Sequence, residues 1–453
     1  MSARHLSVPM TAAMLALAAT PASAADILVQ DQRQFRAAMQ HAEPGDAIIL
    51  ANGEWRDFRM VVTGNGTARR PITVRAQTPG RVILSGRSNL RIGGNHLLVD
   101  GLVFRNGFSP TNEVISFRAA KGRFANNSRV TNTVIDGFTK PRAGETDFWI
   151  VLYGKNNRFD HNHIVGKANK GTTLSVRLHD AAGRNNGHRI DHNYFGPRPY
   201  LGENGAETIR IGTSSNSRFT SNTLVERNIF DRTDGELEIV SVKSGGNVIR
   251  DNLFLRARGT LTLRHGDGNL VERNVFFGHG KKDTGGIRII ARDQVVRANY
   301  MEGLTGTGLF SALSVMNGMP NSPAHKHVPV ERAQIERNSV LNSKAVTIGA
   351  GANPERTRAP RDSMMRSNLF DGGLGGLIKV ASSIDGITSR DNAIAGTGRA
   401  PAGGFRAANF GFSRARNGLL YPTDPALASI GAPRDLAPLR LEQVGTPFYP
   451  KPS

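Results

Sequence analysis

Short apolar runs recur along this chain, each interrupted by a polar step and closed by a glycine or polar turn. The segments RFDHNHIVG (158–166), RIDHNYFG (189–196), VERNIFDR (225–232), IRDNLFLR (249–256), VERNVFFG (271–278), VRANYMEG (296–303), IERNSVLN (335–342), MRSNLFDG (365–372) and SRDNAIAG (389–396) share one layout. Their asparagines fall at 162, 193, 228, 252, 274, 299, 338, 368 and 392, a base period of 22–25 residues with longer insertions. A fixed period of that size marks a solenoid, and runs this short between turn residues are strands rather than helices. Coils of more than twenty residues predict an all-β, single-stranded, right-handed parallel β-helix with three sheets. An asparagine at each bend tolerates a left-handed backbone, and stacked asparagine amides would form a ladder with a rise of about 4.8 Å per coil.

The ends depart from the repeat. Residues 31–42 (DQRQFRAAMQHA) read as an amphipathic helix with Asp31 near its start, closed by Pro44 and Gly45. Placed before the first strand, AIIL (47–50), this N-terminal helix would cap the open end of the solenoid. From about residue 397 the asparagine pattern stops and Pro, Ala and Gly dominate. The expected organisation is a signal segment (1–24), a β-helix domain (25–396) and a non-repeating C-terminal tail (397–453) packed on the solenoid.

Charge narrows the partner. The formal net charge is +21, which calls for an anionic partner but does not choose among nucleic acid, membrane surface and acidic polysaccharide. The first 24 residues do discriminate. Arg4 and His5 precede an apolar run (9–20) and the small-residue site Ala22-Ser23-Ala24, the layout of a cleavable secretory signal too short to span a membrane. The expected location is therefore secreted or periplasmic, with cleavage after Ala24. With no cysteine, the chain forms no disulfide and does no thiol chemistry. Export disfavours nucleic acid, so the expectation is an acidic polysaccharide outside the cytoplasm, no membrane partner and a monomer.

Unusual residues are densest between 204 and 288. In GELEIVSVK, Glu236 and Glu238 share one face of a strand, and two adjacent carboxylates ask for a cation. Oxygen ligands with a nearby amide suit calcium. Lys243 follows, then Arg264 after 21 residues and Arg288 after 24 more. Counted back from each coil's asparagine they lie 9, 10 and 11 positions upstream, nearly one place in successive coils. The drift of one residue per coil would turn a side chain to the other face unless a bulge absorbs it. These residues alone equally describe a charged solenoid surface, paired across coils and binding a polyanion.

The stretches NGAETIRIG (204–212), GELEIVSVKSGGNVIRDN (235–252), GTLTLRHGDGNLVERN (259–274) and GGIRII (285–290), with NGMPNSP (317–323) and IGAGANPERTRAP (348–360), resemble polysaccharide lyase family 6, the alginate lyase and chondroitinase B group. The similarity runs from residue 26 to about 395. The resemblance implies β-elimination on a uronate polymer: Lys243 as the base that removes the C5 proton and Arg264 as the acid at the departing O4. It also implies Asn204, Glu236 and Glu238 as calcium ligands, and Arg288, His265, Arg210 and Glu207 near the substrate. Calcium as Lewis acid would neutralise the uronate carboxylate. Arginine stays protonated in proteins, so Arg264 either donates the proton or stabilises the leaving oxygen while water delivers it. In place of an aromatic after NGMPNSP the chain has His325, Lys326 and His327, either substrate-contacting cations or a solvated loop. The leading expectation is an alginate lyase. The alternatives are a dermatan sulfate lyase like chondroitinase B and a non-catalytic polyanion-binding solenoid.

Overall fold

In the computed structural model, which describes residues 24–178, 181–202, 204–371, 376–396, 400–401 and 403–451, the chain winds through three sheets of 14 strands each. The secretory segment expected over 1–24 lies, up to residue 23, outside the described residues. The first sheet runs from Asp26–Val29 to Ile387–Arg390, the second from Gly53–Arg56 to Phe405–Ala408, and the third ends at Ile378–Val380. Nearly all neighbours are parallel, as when Ile190, Val225, Ile249 and Val271 pair in succession. This is the three-sheet, right-handed parallel β-helix the period predicts. Before it, helix Gln32–Gln40, N-capped by Asp31 through Gln34 N at 2.8 Å, turns Phe35 and Met39 into the core.

Between the first and second sheets the nine asparagines form one unbroken ladder. Each side-chain amide donates to the next coil's carbonyl at 2.9–3.0 Å, from Asn162 through Asn193, Asn228, Asn252, Asn274, Asn299, Asn338 and Asn368 to Asn392. The bend itself differs from expectation. The left-handed residue is the one before each asparagine, including His161, His192, Arg227, Asp251 and Arg273 with φ between 52° and 56°. The asparagine instead faces inward, because its amide must satisfy backbone carbonyls that the corner removes from the sheets. A second, shorter ladder, Asn247 to Asn269 to Gln294, lines the corner between the third and first sheets.

Inside, Phe195, Phe230, Phe254 and Phe276 stack face to face with centroids 5.1, 4.6 and 4.4 Å apart. After Phe405–Ala408 adds a last parallel strand to Asn392–Ala395, the chain turns back along the outer face of the second sheet. There Leu419, Tyr421, Leu427, Leu436 and Val444 pack on Tyr194, Ile229, Leu253, Val275 and Tyr300. The return continues to Tyr449, whose hydroxyl donates to Asp136 and whose ring lies 4.9 Å from His163. Among the described residues no helix is long and apolar enough to cross a membrane.

Candidate active site

Among the described residues the third sheet has no such cover, and its outer face collects charge. On strand Glu238–Lys243 the core takes Ile239, Val240 and Val242. Two adjacent inward residues mean a bulge, and the register does shift between Glu238 and Val240. Ser241 and Lys243 consequently face out. On the next strand, Gly259–His265, a second irregularity matters more. Val242 pairs with Leu263, yet Lys243 pairs with His265, so Arg264 is the extra residue of a β-bulge. The bulge absorbs the drift that the sequence left open and puts Lys243 and Arg264 on one face, one coil apart.

Arg288 is a correction. It pairs with Thr262, which pairs with Ser241, so it stands one alternate position before the Lys243–Arg264 rung rather than in line with it. Counting from the ladder asparagine misplaced it because the bulge adds a residue to only one of the three coils. Arg288 is buried and bound to Glu238 as an internal counter-charge.

Glu207, Glu236 and Glu238 converge, with one oxygen of each within 4.8 Å of the others. The sequence points to Asn204 in this group and to Glu207 among the substrate contacts; the structure brings Glu207 beside Glu236 and Glu238, and Asn204 is exposed three residues before it. This segment is drawn against the coils on both sides, with Gly171 N donating to Gly205 O at 2.7 Å and Thr208 N donating to Ile239 O at 3.0 Å.

Cations surround these carboxylates. Lys243 Nζ and Arg210 Nη1 each lie 3.5 Å from Glu207 Oε1, and Arg264 Nε lies 3.8 Å from Glu238 Oε1. Glu238 also accepts from Ser241 Oγ. Burial opposes its charge, but Arg288, Lys243 and Arg264 outweigh it and hold Glu238 below the usual carboxylate range. Glu236 behaves oppositely: burial and the facing Glu207 and Glu238 push it up to about 9. Glu236 Oε2 and Glu207 Oε2 are buried without a hydrogen-bond partner. Two unpartnered carboxylate oxygens in a three-glutamate cluster match the donor set of a hard divalent cation, so the residues present fit calcium.

The supports of the site come from far apart in sequence. Arg264 Nη1 donates to Lys326 O at 3.1 Å, so the 323–327 loop holds the guanidinium through backbone rather than through its own charges. His327 lies 3.4 Å from Arg356 and is held at about 4 by burial and the surrounding arginines. His325 lines a cleft of about 540 Å³ with Ser214 and Arg218. His265 is buried, contacts Ser214 Oγ at 3.2 Å and is pushed down to about 3 by burial and Arg264, so it is neutral.

One residue escaped the sequence reading altogether. Arg198 is buried and donates to the carbonyls of Asn169, Gly171, Ala206 and Glu207 at 2.8–3.0 Å. It pins the backbone that carries Glu207. Its counterpart in the next coil is Thr233, a residue of unlike type, so no periodic signal marks it.

Comparison with known proteins gives a consistent result. The family description Chondroitinase B matches residues 29–421. The structure of the PL6 family alginate lyase AlyGC superposes with a TM-score of 0.93 at 50% identity, covering 95% of this chain and 59% of that one. This chain thus spans about three fifths of that protein's length. A mannuronic acid specific polysaccharide family 6 lyase from human gut microbiota gives 0.76 at 32% identity, covering 85% of this chain and 91% of the other. A PL6 family polysaccharide lyase from Pseudopedobacter saltans, 22% identical with a TM-score of 0.78, shares the fold over 93% of this chain and 99% of its own. A search of curated protein sequences gives no significant match.

Proposed function

The chain belongs to the chondroitinase B family, polysaccharide lyase family 6, and from that premise we propose that it is an exported alginate lyase cleaving by β-elimination. One observation carries the reading: Lys243 and Arg264 share a face on paired strands, beside three buried carboxylates. Alginate is favoured over dermatan sulfate because the 50% identical relative is an alginate lyase.

The C5 hydrogen of a uronate is weakly acidic because its removal builds negative charge onto the adjoining carboxylate. Glu207, Glu236 and Glu238 would hold calcium, which when bound supplies Lewis-acid neutralisation of that charge. Lys243 takes the C5 proton. The electron pair of the broken C5–H bond forms the C4=C5 double bond while the C4–O4 bond breaks and O4 leaves with its pair. Arg264, fixed by its bond to Lys326 O, donates hydrogen bonds to that oxygen, and solvent supplies the final proton. Arg198 and Arg288 hold Glu207 and Glu238 in place.

The test is ultraviolet absorbance of unsaturated uronate ends on mixing with alginate, with dermatan sulfate in parallel. Lys243→Ala should lower the rate by at least about 10³-fold with an unchanged thermal midpoint. Absorbance that rises equally with this variant would overturn the assignment of the base. No rise with any uronate polymer would leave a polyanion-binding solenoid.

A further inference from the structure

Far from the reacting groups, the N-terminal coils of the third sheet carry a second charged groove. It has a volume of about 550 Å³ and is lined by Arg91, Glu113, Ser116, Arg118 and Lys121. A smaller one of about 270 Å³ adjoins it and adds Tyr153 and Arg177. Three cations face one acid here, and that acid is engaged: Glu113 accepts from Tyr153 Oη at 2.7 Å and meets Arg118 at 3.4 Å. Ser116 Oγ and Arg91 Nε are buried without partners. Arg91 Nη1 donates to Ala119 O at 3.2 Å, and the groove keeps a surplus of positive charge over its single acid.

Its position follows from register. Leu152, Val176, Ile211 and Val242 form one inward column. The residues one step beyond are Tyr153, Arg177, Gly212 and Lys243, so they form one outward column. Arg118 extends it, standing two residues past Ser116, which pairs with Val151, with its guanidinium 4.2 Å from the Tyr153 ring centre. A straight line along the solenoid axis therefore leads from Lys243, over Gly212 where no side chain intervenes, past Arg177 and Tyr153 to Arg118. Four coil steps make this about 19 Å. One coil step is close to the length that one sugar adds to an extended chain.

We propose that Arg91, Arg118 and Lys121 form a distal subsite for a uronate carboxylate of the same bound polymer, which lies along the solenoid axis. This rests on the lyase reading. A carboxylate there would meet charge-assisted donors from Arg91 and Arg118 and the Ser116 hydroxyl, with exposed Lys121 at the rim. The subsite engages only chains long enough to span the intervening coils.

Calorimetric binding in a Lys243→Ala background, where nothing is cleaved, tests this independently of turnover. The octasaccharide of alginate should bind about tenfold more weakly when Arg118→Gln and Lys121→Glu are added, and the octasaccharide-to-trisaccharide affinity ratio should fall by the same factor. Unchanged octasaccharide affinity, or equal losses for both lengths, overturns the proposal. If Arg118→Gln does not fold, Lys121→Glu alone decides, since that side chain is exposed. Failure of the wild-type protein to form unsaturated ends would count against the lyase reading, while the affinity ratio would still judge the groove.

Discussion

The outer faces of the second and third sheets are built from the same coils and end in opposite states. On the second, Tyr194, Ile229, Leu253, Val275 and Tyr300 point outward and are covered by the C-terminal return. On the third, the corresponding outward column holds Arg210, Ser241, Thr262 and Arg288, with Lys243 and Arg264 beyond it. One face is satisfied by protein and contributes stability. The other keeps crowded charge and unpartnered oxygens that only a ligand satisfies, so it contributes function at the expense of stability.

Removing the return, by ending the chain after Asn409, would break the comparison most forcefully. Five buried tail side chains would each forfeit roughly 1.5–3 kcal/mol of burial, and an apolar face would open. The expected outcome is a lower thermal midpoint by scanning calorimetry and concentration-dependent association in sedimentation.

A smaller effect comes from acid. Burial, with repulsion from Lys451, holds His163 under the tail at about 4, below its ordinary 6.5. The unfolded chain then takes up a proton that the folded one refuses. The stability contribution is complete above pH 6.5 and is lost as the pH falls toward 4, at most about 3 kcal/mol. Thermal midpoints across that window should decline, and His163→Gln should flatten part of the decline.

On the third sheet the sign reverses. Glu236→Gln removes one of three crowded carboxylates, so it should raise calcium-free stability by about 1–2 kcal/mol while abolishing calcium binding. Calorimetric titration and a melting curve check both halves, and a destabilised variant would contradict the reading of Glu236 as strained by its neighbours. Smallest is Tyr300→Phe. Its hydroxyl donates to Glu302 at 2.6 Å and accepts from Leu420 N at 2.9 Å, so denaturant unfolding should register a loss of about 1 kcal/mol.

The solenoid was legible because the ladder asparagine recurs where buried carbonyls demand it, and coil spacing follows from that one residue. Lys243, Arg264, Glu236 and Glu238 were legible as a motif. Glu207 was not, since its entry into the carboxylate cluster depends on cross-coil pairing through an insertion whose length carries no register information. Arg288 was misaligned because the bulge at Arg264 adds a residue to one coil alone. The covered face did leave a signal that went unused. Residues after the ladder asparagine are apolar or aromatic in pairs, such as Tyr194-Phe195, Ile229-Phe230 and Leu253-Phe254, and a strand apolar on both sides must be buried on both sides. The tail's own apolar residues are irregularly spaced, so the expectation that it packs on the solenoid could not name the face it covers.

The return segment also sets an order in time. Coils around His163 and Asp136 are synthesised some three hundred residues before the Tyr449 that closes over them. Domains begin folding from the N-terminus during synthesis, so the early rungs stack while one of their sides is still greasy and bare. The nascent protein must therefore be shielded from its neighbours until residues 419–449 emerge, which makes that last stretch the step on which successful maturation turns.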